Sequence, residues 1–326
     1  MLGRICQAGH AGPRHGRRWR ALTPATARRM SGASGNSRVP ASVALRESVR
    51  QYDYDHYLCG LLLPIDTRPA YFAIRAMNVE LATIKDSIRS NHLTGKIRVQ
   101  WWRERVSALY ESPGGATRET PLLLELDRAI AAHGLTRRWF ERLLDARDQD
   151  LDVDQPLSLE DLERYAEQTA SSLLYLTLEC LGVRDGAADR AASHVGAAVG
   201  LATLLRGTAF HAMRQQVYLP EDLMLRHGVS VYDLAEATEN PELGMVAAPV
   251  VADVARRAQE HVAEARALMG DVPKAARAAL LPLVSMDMHL AELEAVQFNA
   301  FDPKLQQRSA LRLHLQVLKH YFLGRY

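Results

Sequence analysis

From about residue 43 onward the apolar side chains of this chain recur every three or four positions, and strand-like alternation is nearly absent. That single period confines the backbone to helices packed on helices. It predicts helices over 43–58, 67–90, 96–111, 121–133, 136–149, 159–181, 187–213, 249–269, 273–300 and 304–322, with two short turns or helices in 220–237. The segment 159–181 shows how the pattern works. Ser158 with Asp161 reads as an N-cap with an acid in the first turn, where the helix dipole favours it. Leu162, Tyr165, Ala166, Thr169, Leu173, Leu176 and Cys180 then follow the helical period, and Gly182 ends it. Most prolines fall between helices, but Pro282 falls inside one and should kink it. The stretch 187–206 is rich in alanine and glycine, which predicts a buried helix closely approached by its neighbours. Gly196-xxx-Gly200 within it reads as a packing face, because no strand precedes it as a nucleotide loop requires. The expected fold class is all-α, in one domain.

The net charge of +2 hides an asymmetry. Nine arginines lie between Arg4 and Arg46, and the first acid is Glu47. An Arg-rich, acid-free start predicts a mitochondrial presequence over 1–30, followed by a linker over 31–48 and the helical domain over 49–326. Cleavage near Arg29-Met30-Ser31 leaves 33 basic against 38 acidic residues, which excludes nucleic acid as the partner. The longest uncharged apolar run near the middle, Val195 to Leu205, is about half a bilayer span, so no transmembrane helix is expected. Cys6 falls in the presequence; Cys59 and Cys180 are isolated, without a CxxC pair, and read as core residues rather than metal ligands or a disulfide.

Three stretches carry a likeness: YLCGLLLP (57–64) leading into YFAIRAMNVELATIKDSI (71–88), YAEQTASSLLYLTLECLG (165–182) and VGAAVGLATLLRGTAFHAMRQQVYLP (195–220). They resemble the squalene/phytoene synthase family, with Arg206 and the Tyr218-Leu219-Pro220 turn holding its spacing. The resemblance implies an isoprenoid-synthase-like helical bundle with a central cavity, across which helices 67–90 and 187–213 face each other. It also implies ionisation of prenyl diphosphates by Mg²⁺ held on two aspartate-rich turns. Mg²⁺ takes hard oxygen ligands in near-octahedral geometry, so one stray carboxylate is not a site. Where the resemblance places five carboxylates, this chain has Ala82, Thr83, Asp86, Gly207 and His211, and the accompanying Asn is Thr203. Glu80 does not substitute, since it lies about 200° round the helix from position 82.

The expectation is therefore no catalytic residue, no metal and no cofactor, with a vestigial pocket of Asp86, Arg206, His211 and Tyr218. Asp86 would pair with an arginine such as Arg75 or Arg206; a replacement metal site from Asp86, His194 and His211 is the other possibility. The start of the chain, NVELATIKDS and FDPKLQQRSALRLHL resemble a branch of the family that assembles mitochondrial respiratory complex I. What that implies is a non-enzymatic role early in membrane-arm assembly, on the matrix side of the inner membrane. Complex I subunits or assembly intermediates would be partners, with peripheral contact to the inner membrane and a lipid in the cavity. The alternatives are an isoprenoid or lipid-binding protein, and an active prenyl transferase with relocated metal ligands. After Asp302 there is no acid, and Leu311, Leu315, Leu318 and Phe322 form an apolar stripe among five cations. Such a helix lies either on anionic lipid or in the core with a solvated basic face.

Overall fold

The computed structural model describes residues 41–87, 92–112 and 120–326, so the expected presequence and the linker up to residue 40 lie outside the described residues. Every regular element among the described residues is helical. The first helix, α1 (Ala41–Tyr52), starts inside the expected linker and buries Leu45 and Val49, so residues 41–48 belong to the fold. It is followed by α2 (Tyr54–Gly60), α3 (Arg68–Ser87), α4 (His92–Glu111), α5 (Pro121–His133) and α6 (Arg137–Asp150). Then come α7 (Leu159–Ala166), a π turn (Glu167–Ser171), α8 (Ser172–Cys180) and α9 (Gly186–Arg206). The rest are α10 (Thr208–Ala212), α11 (Glu221–His227), α12 (Val231–Glu239), α13 (Ala248–Ala267), α14 (Pro282–Ala295) and α15 (Ala310–Leu323).

The caps explain several boundaries. Ser158 Oγ accepts from Asp161 N at 3.2 Å, as its spacing predicts, and Asp185 holds the first turn of α9 through two backbone amides at 2.9 Å each. Gly182 takes φ +69° after α8, the left-handed stop that glycine allows. Four expectations need correction. The segment 43–58 breaks at Asp53, between α1 and α2. Pro282 does not kink a helix. The segment 273–300 divides into a 3₁₀ stretch (Lys274–Leu280) and α14, with Pro282 in its first turn, where the missing N–H has no intrahelical partner to lose. The segment 304–322 likewise divides, into a 3₁₀ turn (Pro303–Gln306) and α15. The run 187–213 breaks at Gly207, separating α9 from α10.

Two large buried clusters fill the body, and a third, smaller one gathers residues of α2, α14 and α15. Of the large pair, one surrounds α3 with residues of α1, α4, α5, α6 and α8; the other surrounds α9 with residues of α7, α13 and α14. Each fully buried Leu, Ile, Val or Met side chain contributes roughly 1.5–3 kcal/mol relative to exposure. The small residues of α9 set how closely it is approached. A Cβ on Gly196 would overlap Ser171 Oγ and lie 2.6 Å from the Ser171 backbone; one on Gly200 would lie 2.7 Å from Ala166 Cα. The backbone that comes this close is the end of α7 and the π turn after it, where Thr169 Oγ1 also donates to Tyr165 O at 2.8 Å and Ser172 Oγ to Gln168 O at 2.6 Å.

Candidate functional site

The carboxyl ends of α3 and α6 and the chain leaving α9 converge on Asp150. Lys85 Nζ donates to Asp150 Oδ1 at 2.9 Å, and to the carbonyls of Asp150 at 2.7 Å and Val153 at 2.9 Å. Tyr165 Oη donates to Asp150 Oδ2 at 3.1 Å, and Tyr218 Oη to the same oxygen at 2.9 Å. The two phenol rings stack with centroids 6.1 Å apart, and Lys85 Nζ stands 5.0 Å from the Tyr218 centroid. Arg147 Nη1 donates to Tyr165 Oη at 2.6 Å, and its Nη2 reaches Asn78 Oδ1 at 3.3 Å. Gln215 takes a left-handed φ of 59° in the turn that brings Tyr218 back to this network. Burial and the nearby Asp150 carboxylate push both phenols above their ordinary range, so they stay protonated donors.

Asp86 and His211 stand beside this network. Burial raises the Asp86 carboxyl above its ordinary value, and Asp150 adds to the rise; His211, Arg214 and Arg147 offset only part of it. Burial likewise lowers His211, against the pull of Asp86, which keeps the imidazole neutral at neutral pH. The His211 ring lies edge-on to Tyr218 at 4.7 Å and to Phe210 at 5.4 Å. It also fills the space a side chain at 207 would use: a Cβ on Gly207 would be 2.7 Å from His211 Nε2.

The other expected members go elsewhere. Arg206 Nη1 donates to Asp55 Oδ2 at 2.7 Å, and Arg308 Nη1 to the same oxygen at 2.9 Å. Ser285 Oγ bonds Asp55 as well. Burial alone would raise Asp55, but Arg206 and Arg308 outweigh it and hold the carboxyl at about 2. Arg75 pairs with Asp53, through Nε at 2.8 Å, and Asp53 Oδ1 also lies 2.7 Å from His56 Nδ1. Neither arginine is the partner of Asp86; its neighbouring cations are Arg214 and Arg147, with the His211 ring beside it. His194 does not join it either. Its Nδ1 is 3.0 Å from His261 Nδ1, and His261 Nε2 is 3.0 Å from Glu163 Oε1. Thr203 Oγ1 donates to Val199 O at 2.6 Å, and exposed Glu80 has Arg98 as its neighbouring charge. Cys59 and Cys180 are buried and free, and burial pushes the Cys180 thiol up to about 12.

The donor chemistry here does not fit a Mg²⁺ cluster. Of the positions the likeness assigns to ligands, only Asp86 offers a carboxylate, and the second acid present, Asp150, is committed to Lys85, Tyr165 and Tyr218. Lys85 pairs with Asp150, and Arg147 and Arg214 are charged neighbours of Asp86, so cations already face both acids. Among the described residues no group of three or more His, Cys, Asp or Glu side chains is gathered to hold a metal. Two volumes of about 360 and 340 Å³ lie elsewhere, along α4 beside Trp101 and between Trp139, Tyr175 and the start of α9.

Sequence reasoning missed Lys85, Arg147, Tyr165 and Asp150. One signal was available. Acids at 145, 148, 150 and 152 crowd the carboxyl end of α6, where the helix dipole disfavours them, so each needs an outside cation. Arg103, Lys96 and Lys85 supply those cations.

Comparison with known proteins bears on what this arrangement does. The sequence model of the squalene/phytoene synthase family matches residues 49–316. A Mus musculus protein named NADH dehydrogenase (ubiquinone) complex I, assembly factor 6 is 40% identical over 290 residues, spanning 88% of this chain and 84% of that protein. A Homo sapiens protein of the same name is 41% identical over 266 residues, spanning 81% and 77%. Among solved structures, a dehydrosqualene synthase in complex with ligand matches with a TM-score of 0.72 over 88% of this chain and 97% of that chain. At 20% identity, it speaks to the fold alone.

Proposed function

The chain belongs to the squalene/phytoene synthase family, and from that premise we propose that it is a non-enzymatic assembly factor for mitochondrial respiratory complex I. The observation that carries this reading is the 40% identity, over 84% of its length, to a relative named for that role. The former metal site supports it from the chemical side. Ionising a prenyl diphosphate develops charge on the leaving group that needs a preorganised counter-charge. Here the assigned positions keep one carboxylate, Asp86, and the neighbouring acid is locked in a hydrogen-bond network with Lys85 and two tyrosines. The network that remains fixes the ends of three helices, which is a structural duty.

The reading has further parts. Residues 1–30 act as a presequence, removed on import, and the helical body works on the matrix side of the inner membrane as a peripheral protein. No helix among the described residues is long and apolar enough to cross a membrane, which is compatible with that placement. Complex I subunits or assembly intermediates are the partners, met early in membrane-arm assembly. Two measurements test the proposal. Calorimetry of the purified protein with Mg²⁺ and a non-hydrolysable prenyl diphosphate should give no tight ternary complex, and no turnover should follow with the natural substrate class. Inactivating the gene should deplete complex I on native gels while sparing the other respiratory complexes. Metal-dependent turnover, or depleted ubiquinone with normal complex I, would replace this reading with an active isoprenoid enzyme.

A further inference from the structure

Helix α15 has two apolar faces. Leu313 and Val317, each 2% exposed, pack onto Leu58, Cys59, Leu281 and Val284. His314 anchors the same side, its Nε2 lying 2.9 Å from Tyr54 Oη. At about 100° per residue, Leu311, Leu315, Leu318 and Phe322 point roughly 140–200° away from Leu313. They are 67, 58, 39 and 80% exposed. The stripe legible in the sequence is therefore not the core face; two other residues make the core contact. Single exposed leucines are ordinary, but four large apolar side chains in register on a helix's outer face are a surface built to be covered.

What borders the stripe identifies the cover. Exposed Arg312 and Lys319 share one flank, roughly 240–260° from Leu313. No Asp or Glu occurs from Pro303 to Tyr326. Of the five cations in that segment only Arg308 is turned inward, to Asp55 and Ser285. An apolar stripe flanked on one side by cations, in a segment without an acid, is complementary to a surface that is apolar within and anionic outside.

We propose that the outer face of α15 is a lipid-docking surface for an anionic bilayer. Leu311, Leu315, Leu318 and Phe322 enter the acyl boundary while Arg312 and Lys319 meet headgroup phosphates. The helix lies in the interface plane, held at its correct roll by Leu313, Val317 and the Tyr54–His314 bond. The proposal deepens the reading above, on which it rests for the identity of the membrane; the binding itself is measured without reference to complex I.

The test is flotation of the full chain with vesicles of phosphatidylcholine alone or with a minority of cardiolipin. The basic residues before Glu47 also attract anionic vesicles, so the readout is the ratio between wild type and variants that share that segment. Leu315→Ser/Phe322→Ser should lower partition onto the anionic vesicles roughly tenfold or more. Arg312→Gln/Lys319→Gln should lower it roughly fivefold per charge removed, an effect that salt diminishes. Both variants should melt as the wild type does, since the altered side chains are exposed. Hydrogen exchange across 310–323 should slow on anionic vesicles in the wild type alone. Variants that float like the wild type would overturn the proposal. So would stable variants that keep vesicle binding yet fail to restore complex I, since the face would then dock a protein. Variants that lose vesicle binding but leave complex I intact would support the lipid surface and count only against the membrane placement in the functional reading.

Discussion

Replacing Gly207 by alanine should destabilise the wild-type protein and stabilise one in which His211 has already been cut to alanine. Gly207 sits at φ −82°, ψ −5°, which any L-residue adopts, so the backbone raises no objection. Losing glycine's extra freedom in the unfolded chain is by itself worth about 0.4–1 kcal/mol in favour of folding. The obstacle is the His211 ring, whose Nε2 and Cδ2 would lie 2.7 and 2.8 Å from the new Cβ. That ring cannot simply swing away. It is wedged edge-on against Phe210 and against Tyr218, which is itself tied to Asp150. Overpacking of this kind costs about 1–3 kcal/mol, so Gly207→Ala should cost about 1–2 kcal/mol net in the wild type. With His211→Ala the nearest remaining atom is Leu204 O at 3.4 Å, and the same change should gain about 0.5 kcal/mol. The coupling energy of the cycle is then about 1.5–2.5 kcal/mol, well above the scatter of independent sites. Urea denaturation of the four proteins, followed by circular dichroism, measures it. An effect of Gly207→Ala with the same sign and size in both backgrounds would refute the claim that one packing solution accounts for both departures from the aspartate turn.

Three further outcomes follow from other parts of the molecule. The Asp86 carboxyl titrates above its ordinary 3.8 in the fold, so the folded state holds that proton more tightly and stability falls as pH rises through the window above 3.8; Asp86→Asn should match the wild type in acid and equal or exceed its stability at neutral pH, read from urea midpoints across pH. Asp55 is held at about 2, so its contribution is present above 3.8 and lost as pH falls through about 2; Arg308→Met should weaken that acid dependence and cost about 3 kcal/mol, with Arg206 left to share the charge. Gly196→Ala drives a methyl into the Ser171 backbone and should lower the melting temperature on the order of 10 °C by calorimetry.

The helices that dominate the fold were legible because their apolar period is long and their caps are local: Ser158 with Asp161, and Gly182, act within one turn of the residues that reveal them. Features decided by a neighbour were not legible. The π turn at Glu167–Ser171 lies where α9 comes closest, and the break at Gly207 lies where His211 fills the space of a side chain, neither of which shows in one strand of sequence. Pro282 was misplaced because the 3₁₀ stretch before it has apolar residues at helical spacing, so the period ran on through the true start of α14. At the site, Asp86, His211 and Tyr218 share one neighbourhood. Arg206 points instead to Asp55, a carboxylate 151 residues away in sequence, and only the fold makes that choice visible. Asp150 escaped notice because an acid at a helix end looks solvated until its half-buried cation, Lys85, is known.

The account stands on the claim that the protein acts without the chemistry of its family, and one measurement meets that claim directly. In cells lacking the gene, complex I on native gels is compared after re-expression of the wild type and of Asp86→Ala, which removes the one carboxylate at the positions where the family likeness expects metal ligands. The account predicts that complex I is depleted in the null cells, with other respiratory complexes spared, and that both proteins restore it equally. Failure of a stably folded Asp86→Ala protein to restore complex I would contradict it.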